Sequence, residues 1–573
     1  MGIVTTASPS APASDSPLAP RTARALWQHA LAQGRTTPAY LEESAGGWRE
    51  VSWQEAGARV DGLSRALLAH GVRKGDSVAV LSRTRLEWIL LDWAIMSIGA
   101  VVVGLYPTSS ASECAYILGH SEAVLAFVED EEQRAKLASV HGGLPALREL
   151  VSFSELDEFD GDGGEPEPVE EDDLATLIYT SGTTGPPKGC MLTHKNLTTA
   201  AARVRTHMDG VEDTVLLFLP MAHSFARICH QSAAYHGATL ALCSDAARVA
   251  EALQRTRPTI LPAVPRVYEK IHANALGEIE RSGRAKRAVG RWALRVGARA
   301  SALRREGRPL PLGLRLRLAL ADRLVFARIR DRLGGRLRLG VSGAAPLGVD
   351  VLEFFHSLGM LVFEGYGLTE TSSSLSVNDR DDYRFGTVGH AVDGCEIRLD
   401  EDGEILVRSD TVFTGYYKDP EATAAAFTGD GWFRTGDVGA LDEQGWLTIT
   451  DRKKDLIITA GGKNIAPQNL ENALKASRFV SQAVVIGDRR PYVTALIALD
   501  QAEVAASGRE PEELAQEVVD GVNRDRTRVE QIKRFAIVPR EFSLEEGELT
   551  PTLKLRRKVV HDHFAGLIDE LYT

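Results

Sequence analysis

Between Thr176 and Asn196 the chain reads TLIYTSGTTGPPKGCMLTHKN, an apolar strand running into a loop of glycines and hydroxyls that ends in a lysine. Leu177, Ile178 and Tyr179 read as the end of a buried strand, and Thr180, Ser181, Gly182, Thr183, Thr184 and Gly185 follow without a bulky side chain. Backbone N–H groups and hydroxyls in such a loop can close around an anion. Pro186 and Pro187 stiffen the exit, and Lys188 adds positive charge where further phosphate oxygens would lie. A nucleotide is the natural guest. The spacing is not that of a Walker loop: counted from Gly182, the position that should be glycine is Pro187, and Gly189 follows the lysine.

A chain of 573 residues is too long for one ordinary core, so two or more domains are expected. The formal charge of −12 argues against general nucleic-acid binding, because a phosphate backbone would be repelled on average. The five cysteines, Cys114, Cys190, Cys229, Cys243 and Cys395, have no metal-type spacing and suit a reducing, cytoplasmic setting. Residues 1–21, rich in Ser, Ala and Pro, read as a disordered lead-in. The most apolar run, Trp88 to Tyr106, is interrupted by Asp92 and is no membrane span.

From Thr22 the pattern alternates helices with short apolar strands, which predicts a layered α/β domain with buried sheets. Helices are expected over Ala58 to His70 and Glu87 to Ile98, and strands over Ala100 to Tyr106 and Ala123 to Val128. Residues 156–173 are acidic and rich in Gly and Pro, a solvated connector into the loop. Residues 281–338 hold eighteen Lys and Arg against three Asp and Glu. Leu314, Leu318, Val325, Ile329 and Leu333 recur there at helical spacing, and Gly334 and Gly335 stop the helix. The preferred reading is an amphipathic helical pair packed on the domain; the sharper one is a peripheral basic face resting on anionic lipid.

Three further segments fit a nucleotide. RLGVSGAAPL, with Gly343 and Ala344, is a strand and a small-residue turn that a ligand can approach closely. In FEGYGLTETS, Tyr366 can stack on adenine, Thr369 can hydrogen-bond phosphate, and Glu370 can hold Mg²⁺. Asp437, ending GWFRTGD, can accept hydrogen bonds from both ribose hydroxyls.

YTSGTTGPPKG with MLTH resembles the signature loop of the adenylate-forming superfamily, whose members include acyl-CoA synthetases, luciferases and peptide-synthetase adenylation domains. The resemblance implies a large N-terminal domain over 22–451, with sheets flanked by helices, a phosphate loop at 180–189 and an arginine-rich insertion at about 281–335. It also implies a small mobile α+β domain over 452–573, hinged at Lys454. On the same basis Thr180 joins Glu370 at the metal, and Glu364, Gly365 and Gly367 join the nucleotide site. Arg452 reaches the ribose, and Gly461 and Gly462 line a pantetheine tunnel after domain rotation. His223 borders the acyl pocket and the thiol path and is a catalytic candidate together with Lys188, Thr369 and Lys554. Lys554 is the adenylation lysine, although Thr552 and Leu553 precede it where the commoner ending has Ser-Gly. VPRVYEK, the insertion, AGGKNIAPQNLE and TLKLRR resemble long-chain acyl-CoA synthetases most.

The expected activity is thus ATP- and Mg²⁺-dependent conversion of a long-chain fatty acid to acyl-AMP, then transfer to coenzyme A. The alternatives are a ligase for aryl or terpenoid acids, one that loads a carrier protein, and a non-catalytic acyl- or nucleotide-binding protein. Oligomeric state is not encoded in these motifs.

Overall fold

The computed structural model describes residues 20–44, 46–180, 186–203, 208, 210–460, 463–524, 526–550 and 554–573. Most of the lead-in, Ser181, Gly182, Thr183, Thr184 and Gly185 of the loop, and Gly461 and Gly462 lie outside these residues.

Two large sheets organise the N-terminal domain. The first has seven strands and carries the signature strand Leu174–Thr180 between Val101–Leu105 and Lys188–Thr193. Its neighbour on one side is parallel and on the other antiparallel, so the chain doubles back through the signature loop and returns along the same sheet. At the centre of the second sheet, which has nine strands, Thr214–Leu217, Ile260–Ala263, Leu339–Ser342 and Leu361–Tyr366 run parallel. The parallel strands end together, and the loops after them share one edge.

Between the sheets lies helix Leu86–Ser97, with eleven of its twelve residues buried. It packs in one core with Val78, Val80 and Val102 of the first sheet and Val215, Leu217 and Leu240 of the second. A helix apolar all round must be covered all round, and here two sheets do it. This accounts for the apolar run at Trp88, and among the described residues no helix is long and apolar enough to cross a membrane.

A four-stranded antiparallel sheet follows and ends in strand Leu447–Arg452. Beyond it, strands Val480–Ile486, Val493–Leu499 and Ile532–Ile537 with helices Pro467–Lys475 and Pro511–Asn523 enclose a separate core around Leu470, Ala495 and Leu514. This is the smaller α+β C-terminal domain.

Two expectations need adjusting. The 156–173 connector is not merely solvated. Phe159 is buried against Phe127 and His70, Gly163 passes so close to helix Trp53–Ala69 that a Cβ would lie 2.3 Å from Leu68 Cβ, and Lys74 pairs with Asp173 at 2.7 Å. Acidic composition hid a strap, because three anchors suffice to hold eighteen largely exposed residues. In the arginine-rich insertion, Leu314, Leu318, Val325 and Ile329 do pack against the core as read. The helix carrying them, however, is Leu312–Ala321 followed by a π turn, Asp322–Phe326, and Ala327–Arg332.

Candidate active site

A cavity of about 1210 Å³ opens between the two domains, over the shared edge of strand ends. Thr180 and Lys188, at opposite ends of the signature loop, line it side by side because the hairpin register pairs them directly. Lys188 Nζ lies 3.4 Å from Asp419 Oδ2 and 5.1 Å above the Tyr416 ring.

Opposite stand the turns after two strands of the second sheet. Gly343 and Ala344 line the cavity, and Ala344 holds φ 75°, a left-handed conformation that a residue with a Cβ adopts at a cost. Gly365, Tyr366, Gly367, Thr369 and Glu370 follow along the wall. Gly367 has no substitute, since a Cβ there would sit 1.1 Å from Ser373 O. Thr369 is buried with its Oγ1 3.5 Å from Ser224 Oγ.

Tyr366 donates to Asp437 Oδ2 at 2.8 Å, and Arg452 Nε lies 3.2 Å from Asp437 Oδ1. Asp437 and Arg452 meet because the strands bearing them pair in that register. Burial pushes the Asp437 carboxyl up, and Arg452 opposes the shift. The aspartate therefore sits just behind the cavity wall, with Tyr366 and Arg452 at its front.

Glu364 is a different case. It is buried, it does not line the cavity, and its Oε1 accepts the N–H of Leu347. Burial raises its carboxyl to about 7. A carboxyl with that surrounding braces the 343–347 turn rather than a ligand.

His223 lines the cavity but caps helix Ser224–His236: its Nδ1 accepts the Phe225 N–H at 3.2 Å. Burial, followed by the nearby Lys554 ammonium, lowers the imidazolium to about 3. A neutral ring whose Nδ1 accepts carries its proton on Nε2, so His223 offers a donor to the cavity and is no general base. That corrects the catalytic reading of this residue.

The same helix presents Phe225, Ile228, Cys229 and Ser232 to an apolar arm of the cavity, floored by Val215, Ile260 and Val341 from the second sheet. Spacings of three and four put these four on one face. The other face carries Arg227, fully buried, which pairs with buried Asp92 and donates at 2.7 Å to Thr176 Oγ1 in the signature strand.

From the C-terminal domain come Lys454 and Lys554. The Lys554 backbone is held at Thr550: its N–H donates to Thr550 Oγ1 at 3.0 Å, and Thr550 N–H donates to its carbonyl at 2.8 Å. Its side chain reaches the cavity solvent while both domains wall it in. That enclosure, then the Arg452 guanidinium, lowers the ammonium to about 8, against the pull of Asp437 and Glu370. Burial also lowers Lys454. Away from the 452–454 junction, ion pairs among the described residues that join the domains in this arrangement include Arg281 to Glu503 at 2.8 Å and Arg556 to Glu113 at 3.9 Å.

One participant has no signal in the motifs. Tyr416 donates its hydroxyl to Glu370 Oε1 at 3.0 Å while its ring underlies the Lys188 ammonium. Burial and Glu370 push the phenol far up, so it remains a donor. The pairing of strand Gly415–Tyr416 with Lys188–Thr193, more than two hundred residues away, brings it there, and Phe413 N–H donates to the Glu370 carbonyl at 2.8 Å.

The cleft thus gathers Thr180 and Lys188 on one wall and Tyr366 and Glu370 on the other, with Asp437 and Arg452 beside Tyr366 and two lysines of the C-terminal domain, Lys454 and Lys554, facing them. The chain belongs to the AMP-binding enzyme family: residues 27–417 match the AMP-binding enzyme model and 454–573 the AMP-binding enzyme C-terminal domain.

Among its relatives, the long-chain-fatty-acid–CoA ligase FadD15 of Mycobacterium tuberculosis is 39% identical over 562 residues, covering 92% of this chain and 93% of that protein. The peroxisomal long chain acyl-CoA synthetase 6 of Arabidopsis thaliana is 32% identical, covering 93% and 83%. The fold is shared with the adenylation domain of a carboxylate reductase from Mycobacterium chelonae, at TM-score 0.78 and 24% identity over 96% of this chain and 91% of that one. It is shared too with the anthranilate CoA ligase AuaEII in complex with anthranoyl-AMP, at TM-score 0.75 and 22% identity over 95% and 97%.

Proposed function

We propose that this protein is an AMP-forming long-chain fatty acid:CoA ligase. The observation that carries the reading is Lys554 of the C-terminal domain sharing one cavity with Lys188, Glu370, Tyr366 and Arg452, beside an apolar arm. Similarity to long-chain ligases along almost the whole chain supports the choice of acid.

In the first half-reaction a carboxylate oxygen of the acid attacks the α-phosphorus of ATP, and the bond to the bridging oxygen breaks to release pyrophosphate. Negative charge grows at the α-phosphoryl oxygens, and the Lys554 ammonium stabilises it and holds the acid carboxylate in line. Lys188 and the signature loop receive the departing pyrophosphate. Tyr366 stacks on the adenine, and the ribose hydroxyls meet Arg452 and reach Asp437 behind it once its carboxylate exchanges its present partners for them. The neutral Nε2–H of His223 orients the acyl carboxylate at the mouth of the apolar arm.

The chemistry of the residues present suits Mg²⁺: Glu370 lines the cavity with one oxygen steadied by Tyr416, and Thr180, whose hydroxyl donates to the Lys188 carbonyl at 3.5 Å, lines the same space and would turn that hydroxyl to the ion. When bound, the ion neutralises phosphate charge. In the second half-reaction the thiol of coenzyme A attacks the acyl carbonyl and AMP leaves. Rotation of the C-terminal domain about Lys454, which we take as the boundary after 22–451, withdraws Lys554 and admits the thiol past Gly461 and Gly462. The Arg281–Glu503 and Arg556–Glu113 pairs break as it turns.

The test is pyrophosphate and acyl-CoA formation with ATP, Mg²⁺ and saturated acids of rising length alongside aryl acids, each with and without coenzyme A. CoA-dependent turnover should peak at long chains, since each methylene buried in the arm is worth about 0.8 kcal/mol. Turnover confined to aryl acids, or none with any acid, would refute the proposal.

Tyr416→Phe offers a finer check. It keeps the ring under Lys188 and removes one hydrogen bond to a charged carboxylate, so about 1.5–3 kcal/mol is at stake. The Mg²⁺ concentration needed for half-maximal adenylation should change roughly tenfold, with the melting temperature little moved. An unchanged Mg²⁺ dependence would remove Tyr416 from the metal site.

A further inference from the structure

Helix Leu312–Ala321 is apolar on two faces, and only one is covered. Leu314 and Leu318 pack on the core, while Leu312, Leu316, Leu320 and Leu324 are 71%, 66%, 50% and 41% exposed. Single exposed hydrophobic residues are ordinary, but four at a spacing of four form a stripe.

In an ideal α-helix such a stripe drifts sideways, because four residues exceed one 3.6-residue turn. The wider π turn at Asp322–Phe326 reverses that drift and brings Leu324 back toward the line of Leu316 and Leu320. The stripe is thus kept straight by a local distortion.

Arg315, Arg317, Arg323 and Arg328 are exposed around it, and among the described residues no ion pair engages them. Elsewhere in the insertion, arginines do pair, as Arg291 does with Glu280 and Arg330 with Asp322. Among the described residues Arg284, Arg295, Arg299 and Arg304 of helix Arg284–Arg305 have no ion pair either, so the basic field extends from the leucines across the insertion. Residues 281–338 carry eighteen basic and three acidic side chains in a chain whose formal charge is −12. The charge asymmetry selects the partner: an apolar stripe edged with free guanidinium groups is complementary to an anionic lipid surface, with leucines at the acyl boundary and arginines at the headgroups.

We propose that the outer face of Leu312–Ala321 and the π turn docks the protein on anionic membranes. This deepens the reading of the enzyme as a fatty-acid ligase, since its acid partitions into lipid, but the docking experiment does not depend on catalysis.

The full-length protein is sedimented with vesicles of phosphatidylcholine alone and with vesicles containing about one third phosphatidylglycerol, at low and at high salt. Wild type should pellet with the anionic vesicles only, less so at high salt. Leu316→Ser/Leu320→Ser, two exposed positions whose loss spares the core, should reduce binding at least tenfold. Arg315→Gln/Arg317→Gln should reduce it too and flatten the salt dependence. Both variants should keep wild-type pyrophosphate release with an acid short enough to stay in solution.

Failure of wild type to bind anionic vesicles, or binding unchanged in both variants, would overturn the proposal. So would a concentration-dependent dimer in sedimentation velocity that Leu316→Ser/Leu320→Ser abolishes, because a second copy would then cover the stripe. Absence of ligase activity alongside intact vesicle binding would sink the function and leave the docking face standing.

Discussion

Lys554→Ala should cut pyrophosphate release from ATP and a long-chain acid by about a hundred- to a thousand-fold, the usual range for losing one preorganised transition-state donor. The affinity for ATP should change far less, because Lys188, Tyr366, Asp437 and Arg452 remain. The variant should fold normally, since the side chain is open to cavity solvent and the Lys554 N–H and C=O, which alanine keeps, are what bond to Thr550.

Acyl-CoA formation from supplied acyl-AMP should survive, because the proposed rotation withdraws Lys554 before that step. Undiminished pyrophosphate release would refute the role outright. Equal loss of both half-reactions would point to misfolding or a single fixed conformation.

The same residue sets a pH dependence. Its ammonium is lowered to about 8, so the required cation is present below that pH and is lost as pH rises through it. The kcat/KM of adenylation, which reports free enzyme, should fall on the alkaline side with a midpoint near 8. Bound ATP adds negative charge beside the ammonium and raises its pKa, so the limb in kcat should lie at higher pH. A single-turnover profile flat through this region would mean that Lys554 titrates elsewhere or does not act.

Much of this site is readable in the sequence because adenylate formation demands residue types in short, rigid segments. Leu174–Thr180 and Leu361–Tyr366 are apolar strands running into glycine-bearing turns, a pattern that period and composition reveal. Helix Leu86–Ser97 was equally plain, since its apolar character needs cover on all sides.

What stayed hidden depends on pairing across the fold. Tyr416 reaches Glu370 through a two-strand ladder, and Glu364 finds Leu347 N–H only because a turn folds back over it. His223 shows the limit of motif reading from another side: the residue lies in the cavity as expected, yet a helix cap fixes its tautomer and removes it as a base. In the insertion, the inner leucine stripe was legible from its period. The outer one has a period nearly as good, and only burial separates the two.

Asp92 carries the largest expected effect on stability. Asp92→Asn keeps the shape and a hydrogen-bond acceptor for Arg227 but removes the compensating charge from a guanidinium that is 1% exposed. Asp92 is the charge that opposes the burial of the Arg227 guanidinium, and burial lowers the neighbouring His230 imidazolium, whose Nε2 lies 3.5 Å from Asp92 Oδ2. Breaking a buried pair by one partner costs about 3–5 kcal/mol, and the N-terminal domain should unfold at a correspondingly lower temperature.

Asp92→Asn/Arg227→Met should recover at least half of the loss, because removing both charges leaves no uncompensated ion in the core. If the double variant is as unstable as the single one, shape rather than charge is what Asp92 supplies. The damage should also have a direction. Arg227 holds helix Ser224–His236 to the signature strand, and the opposite face of that helix lines the apolar arm through Phe225, Ile228, Cys229 and Ser232. At a temperature where Asp92→Asn is still folded, the KM for a long-chain acid should therefore rise more than the KM for ATP, whose proposed contacts, apart from Thr180 at the end of the signature strand, lie on other elements. A parallel rise in both would show that the buried pair supports the domain as a whole and not the acyl wall in particular.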